Sequence, residues 1–221
     1  MSDLFVIQPL GGFCNSLRVL LSCVDYCNRM NLKLLCVWDS WQNNVDFNDF
    51  FQPIDNVNFA YSYKGDVNYK SCYAIDYSGK EIISSDFTAN TDCLILKPET
   101  KRLIDNLPIA KKSFISCHVR RGDHKKIYRN LSYYFKLIDG LSCDFIHLCT
   151  DDPCVQDKFS DRYQNKVWYY SKITKRNHSL RDTTPESTII DLFLPLQAKN
   201  FIGTKGSSFS SFIEKMRNEI P

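Results

Sequence analysis

The 221-residue chain has no apolar run long enough to cross a bilayer, and Met1-Ser2-Asp3 leads directly into a short apolar stretch with no leader-like segment before it. No membrane span or secretory leader is expected, and the chain reads as cytoplasmic. None of its ten cysteines forms a Cys-x-x-Cys pair. That argues against a zinc site and against an oxidised framework, so Cys36, Cys117 and Cys149 in apolar segments read as small buried hydrophobes. There is also little excess of either charge. The net value is +3, with the basic residues scattered along the chain, and short pairs such as Lys111-Lys112 make no nucleic-acid-binding stripe. Internal repeats, low-complexity tracts and Gly/Pro-rich linkers are absent. Only Lys175 to Thr184 is polar enough to read as a mobile loop.

What is present is an alternation of short apolar runs with segments of helical period. Strands are predicted at Leu4 to Ile7, Lys33 to Trp38, Val57 to Ser62 and Cys93 to Leu96 for a first sheet. Phe114 to Val119, Asp144 to Cys149, Lys166 to Tyr170 and Asn200 to Ile202 would form a second. Helices are expected from Ser16 to Asn31, after Lys97, and near Tyr133, Asp152, Pro185 and Ser208. The fold class is α/β. Two Rossmann-like halves facing a cleft are expected, residues 1–108 and 109–221, each unusually compact for its type.

The sharpest motif is His118-Val119-Arg120-Arg121-Gly122-Asp123-His124, directly after the apolar run ending at Cys117. It places two guanidiniums at the carboxyl end of a strand, where open α/β sheets bind ligands. Arginine's planar fork gives a diphosphate two parallel charge-assisted hydrogen bonds, which makes a nucleotide-sugar diphosphate the first ligand to test. The competing reading is a solvated turn or a cell-adhesive Arg-Gly-Asp tripeptide. Near the amino end, Gly11-Gly12-Phe13-Cys14-Asn15 separates a strand from a helix, with Asn15 and Arg18 facing the same mouth as the glycines. The third glycine of a dinucleotide fingerprint and the Lys-Ser/Thr ending of a P-loop are missing, so neither family follows. Near the carboxyl end, Asp191 is the single acid of an apolar helix running from Ser187 to Ala198. Such a carboxylate either faces solvent or accepts hydrogen bonds from guanine N1 and N2. Ser207 and Ser208 open the last helix, as caps, phosphate donors or both.

Taken together, Gly11 to Arg18, His118 to Asp123, Thr150-Asp151-Asp152-Pro153 and Asp191 to Phe209 resemble, in order and spacing, the fucosyltransferase superfamily of GT-B glycosyltransferases. The pattern is nearest to the α-1,6-fucosyltransferase and bacterial nodulation-fucosyltransferase branch, and weak from about Trp41 to Leu107. The resemblance implies an inverting, metal-independent transfer of fucose from GDP-fucose to a glycan hydroxyl. No cofactor beyond the donor substrate is implied, with the first half on the acceptor side and the second on the donor side. It implies that Arg120 holds the β-phosphate, that Arg121 and Asp123 shape the same pocket, and that His118 lies near the diphosphate or ribose. Asp191 would read the guanine, Ser207 and Ser208 would line the phosphates, and Asp151 and Asp152 would brace the adjoining loop. Gly12, Asn15 and Arg18 would contact the donor from the opposite wall.

This chain departs from the pattern after Asp123, where His124 and then Lys125-Lys126 replace the family's lysine and nearby glutamate. The candidate base is then His124 or Asp123, with Asp39 behind them, or the departing diphosphate lessens the need for one. Trp38, Trp41 and Tyr128 are either core or platforms for acceptor sugars. Asp151-Asp152 superficially resembles a metal-binding pair, but before a proline it reads as a helix start. The alternatives are a transferase of another nucleotide sugar such as GDP-mannose, a non-catalytic sugar-binding module, or a different phosphate-handling enzyme such as a sulfate transferase.

Overall fold

The computed structural model describes residues 4–38, 45–68, 89–121, 129–173 and 183–220. The chain forms two compact units, Met1–Lys97 and Pro98–Pro221. The division falls ahead of residue 108, so the helix starting at Pro98 belongs to the second unit.

In the first unit, β1 (Leu4–Ile7), β2 (Lys33–Val37) and β3 (Val57–Ala60) pair in parallel in the order β1-β2-β3. Between β1 and β2 runs α1 (Phe13–Met30), whose Leu17, Leu20, Leu21, Val24 and Cys27 are buried at the three- and four-residue spacing that builds one apolar face. It ends at Asn31, which takes the left-handed conformation (φ 54°) of a helix C-cap. An aromatic cluster closes the unit. Phe47, in the short α2 (Phe47–Phe50), stacks on Phe51 and Phe59 at centroid distances of 4.7 and 4.5 Å, with Trp38 at 5.7 Å.

One open reading is decided here and one expectation fails. Trp38 is 2% exposed and its Nε1 donates to the Val45 carbonyl at 2.8 Å, so it is a core residue and no sugar platform. Cys93 to Leu96 is no fourth strand of the sheet. Leu96 makes only an isolated antiparallel bridge to Phe51, because Asn90 to Leu94 folds into tight turns in which Asp92 N–H donates to Asn90 Oδ1 (2.8 Å) and Leu94 N–H to Thr91 O (2.9 Å).

The second unit opens with α3 (Pro98–Asp105). Its sheet contains β4 (Phe114–Val119), β5 (Phe145–Thr150), β6 (Val167–Trp168) and β7 (Phe201–Ile202), all parallel, in the order β6-β5-β4-β7. The connecting helices are α4 (Leu131–Asp139), α5 (Pro153–Tyr163), α6 (Pro185–Phe193) and α7 (Ser208–Glu219). β6 is shorter than expected: Lys166 belongs to a 3-10 turn, Gln164–Lys166, and the strand ends at Trp168. The apolar helix expected from Ser187 to Ala198 instead begins at Pro185, capped by Thr184 Oγ1, and passes into a 3-10 turn at Leu194–Gln197. Pro195 supplies no N–H for a continuing α-helix.

Side chains alternate across β4 and β5, and the register puts like with like. Ile115, Cys117 and Val119 with Ile146 and Leu148 make one apolar face, packed by Tyr134 and Ile138 of α4 and Val155 and Phe159 of α5. The other face carries Ser116 beside His147 and His118 beside Cys149. All four are buried.

Candidate functional site

The strand order sets where a site can form. From β4 the chain moves to β5 on one side, whereas β7 returns to pair on the other, so the loops leaving β4 and β7 diverge at their carboxyl ends. Such a switch point opens a crevice in an α/β sheet. Arg120 follows β4 and Thr204 follows β7.

Thr204 ties the two loops together, although it is 84 residues from Arg120. Its hydroxyl donates to the His118 carbonyl at 2.8 Å and accepts the Arg120 N–H at 2.9 Å. With its proton committed, the 2.8 Å contact to Tyr134 must be donated by the tyrosine hydroxyl. Both lone pairs and the proton of Thr204 are then satisfied, and the backbone leading into Arg120 is fixed.

Asp151, the first residue after β5, holds the arginines. One carboxylate oxygen accepts from Arg120 Nη1 and the other from the Arg121 backbone N–H at 2.8 Å. The Arg120 and Asp151 side chains are 19% and 11% exposed, so this ion pair is screened far less than a surface pair. The Arg121 guanidinium donates to the Arg129 carbonyl at 2.6 Å. Beyond it lies a cavity of about 840 Å³ whose walls include Ser132, Asp152, Lys158 and Arg162.

His118 is a neutral part of the frame. The Thr204 N–H donates to Ser210 Oγ at 2.9 Å, and Ser210 Oγ lies 2.7 Å from His118 Nδ1. Ser210 Oγ keeps its proton and a second lone pair, so either atom can donate in that contact, and the tautomer in which Nδ1 accepts carries its proton on Nε2. Burial, with Arg120 and then His147 nearby, pushes the His118 pKa down to about 3. The ring can offer a hydrogen bond to a diphosphate or ribose but no positive charge at neutral pH.

The remaining predicted residues divide. Asp152 is a helix cap: it is 3% exposed and its carboxylate accepts the Cys154 N–H at 2.9 Å. Ser207 is the N-cap residue of α7, yet its hydroxyl makes no capping bond, and Ser208 beside it is half-buried. Asp191 faces the polar side of the sheet, not open solvent. Its Oδ1 lies 3.1 Å from His147 Nε2, and its carbonyl accepts from Cys149 Sγ at 3.7 Å. Burial raises the Asp191 pKa, opposed by the histidine. Gly12, Asn15 and Arg18 belong to the first unit. Gly12 is the N-cap of α1, Gly11 before it has φ 105°, open to glycine alone without strain, and Asn15 and Arg18 are half-buried on the same helix face. Arg18 lies in the second turn of α1. Asp39, Trp41, Gly122, Asp123, His124, Lys125, Lys126, Tyr128 and most of the polar loop after Lys175 lie outside the described residues.

His147, Cys149 and Asp191 are the one group among the described residues whose spacing would suit a metal ion, with ligand atoms within 4.8 Å of one another. Hydrogen bonding already accounts for these distances. Burial also drives the Cys149 thiol pKa well up, against the proton loss a metal would require. The nine described cysteines are free, and no described helix is long and apolar enough to cross a membrane.

Sequence reasoning missed Thr204, Tyr134 and Ser210 as supports of the arginine loop, and Ser116 and His147 as neighbours of Asp191. The period-two recurrence of Ser116, His118 and His147 inside otherwise apolar strands was the available signal.

No family model and no curated protein matches this sequence. Solved structures do match. The fucosyltransferase NodZ from Bradyrhizobium aligns at a TM-score of 0.64 with 18% identity, over 97% of this chain and 93% of that one. NodZ α-1,6-fucosyltransferase soaked with GDP-fucose aligns at 0.63 with 17% identity, over 96% and 92%. A complex of POFUT1 with GDP aligns at 0.63 with 10% identity, over 100% and 96%. The architecture built above from two parallel sheets and their helices is thus the GT-B fold found in these fucosyltransferases.

Proposed function

We propose that this chain is a glycosyltransferase that moves fucose from GDP-fucose to a glycan hydroxyl, with inversion and without a metal ion. The observation that carries the reading is the Arg120–Asp151 pair at the switch point of the second sheet, locked from behind by Thr204. Breaking the bond from the anomeric carbon to phosphate builds negative charge on the diphosphate. A guanidinium already oriented there lowers the barrier without reorganising. Asp151 aims the fork, and the neutral His118 supplies a donor without competing for the charge. Asp191 serves as acceptor for a guanine edge. The similar folds solved with GDP-fucose and with GDP add support for a guanine nucleotide sugar as donor.

A thermal-shift panel tests the donor. GDP and GDP-fucose raise the melting temperature, whereas UDP-sugars and a sulfate donor do not, and GDP-mannose reports the sugar preference. Arg120→Lys keeps the charge and loses the fork, so turnover falls by about 10²- to 10³-fold with the fold intact. Wild-type turnover in that variant overturns the reading.

A further inference from the structure

We infer that His147 is a positioning residue that sets the base specificity of the donor site by orienting the Asp191 carboxylate, an inference that rests on the reading of Asp191 as the guanine acceptor. His147 lies at the middle of β5, fully buried, with each ring nitrogen 3.1 Å from a partner: Nε2 from Asp191 Oδ1 and Nδ1 from Ser116 Oγ. A carboxylate only accepts, so the proton between the first pair belongs to Nε2. In the neutral ring Nδ1 then accepts, and the Ser116 hydroxyl donates. With the ring neutral and Asp191 ionised, the chain runs from Ser116 to His147 to Asp191.

Neighbours hold the ring in place. Phe114 packs edge-on at a centroid distance of 6.4 Å, and Trp168, its register partner on β6, lies at 5.5 Å. Turning the ring over would replace both bonded nitrogens with carbons. Oδ1 of Asp191 is therefore tethered from inside the sheet, and the Cys149 thiol reaches the same residue's backbone carbonyl. The side chain keeps 14% exposure. What it presents outward is an oriented acceptor, which matches the N1–H and N2–H donors of guanine. Adenine offers a lone pair at its N1 and would meet the carboxylate acceptor to acceptor.

Calorimetric dissociation constants for GDP and ADP, measured on the full chain and its variants, decide the matter. His147→Leu is expected to weaken GDP by about tenfold or more and to shrink the GDP-over-ADP preference by a similar factor. His147→Gln, whose amide donates from near the position of Nε2, restores most of that preference. Ser116→Ala, which removes the donor to Nδ1 and with it one of the two hydrogen bonds that hold the ring, gives an intermediate loss. Equal weakening of GDP and ADP, or a wild-type preference in a folded His147→Leu, overturns the inference. Should that variant fail to fold, a wild-type preference in Ser116→Ala overturns it instead. Asp191→Asn separates this failure from that of the underlying reading: unchanged GDP affinity there removes Asp191 as the guanine acceptor, and the role of His147 with it.

Discussion

The two faces of the β4–β5 pair are equally buried and chemically opposite. Towards α4 and α5 the sheet shows Ile115, Cys117, Val119, Ile146 and Leu148, whose removal from water is worth roughly 25 cal/mol per Å² of apolar surface. The other face buries Ser116, His118 and His147, polar groups that cost stability unless paired. Each is paired: Ser116 with His147, His147 with Asp191, and His118 with Ser210. Among the described residues only Ser16 Oγ, in the first unit, is a buried polar side-chain atom without a partner. One face makes the sheet stable. The other uses that stability to hold hydrogen-bonding groups in a fixed geometry beside the arginine loop.

That division can be broken from either side. Phe159→Ala on the apolar face leaves a cavity against Phe135 and Tyr163 and is expected to cost about 3–5 kcal/mol in urea unfolding. The fraction that remains folded should bind GDP as before. Thr204→Val leaves the Arg120 N–H and the Tyr134 hydroxyl without their acceptor and is expected to cost about 1–3 kcal/mol. Unlike Phe159→Ala it should also weaken GDP, read in the same titration.

The polar face also predicts a pH dependence. Because the folded His118 pKa lies near 3, well below its value of about 6.5 in the unfolded chain, the unfolded state binds the proton first as pH falls. Its contribution to stability is complete above about pH 6.5 and declines by about 1.4 kcal/mol per pH unit between there and pH 3. The difference between wild-type and His118→Asn stability profiles isolates that slope, and parallel profiles would remove the buried neutral imidazole. Asp152→Ala should cost about 1 kcal/mol through the lost cap of α5, with GDP affinity unchanged, separating it from Asp151. Smallest of all is the effect of excess chelator, expected to leave both GDP binding and turnover as they were.

Much of the frame was legible in the chain. The apolar runs marked β1, β4 and β5 because a buried strand is rich in apolar side chains even where one face carries a few paired polar groups, and Pro98, Pro153 and Pro185 marked helix starts. Cys93 to Leu96 was misread because a short apolar run has the same composition whether it pairs as a strand or crosses a turn. Trp38 was ambiguous until Phe47 and Phe59 were seen around it, since an aromatic ring suits a core and a sugar platform equally well.

Local sequence determined the parallel α/β plan and the placing of Arg120 and Arg121 just beyond a strand, since periodicity and turn chemistry act over a few residues. Tertiary structure alone decided that Thr204 holds the arginine loop, that His118 stays neutral and that Asp191 is tethered by His147. Those outcomes depend on strand order and on the loss of water around groups far apart in the chain, and neither is written in any single segment.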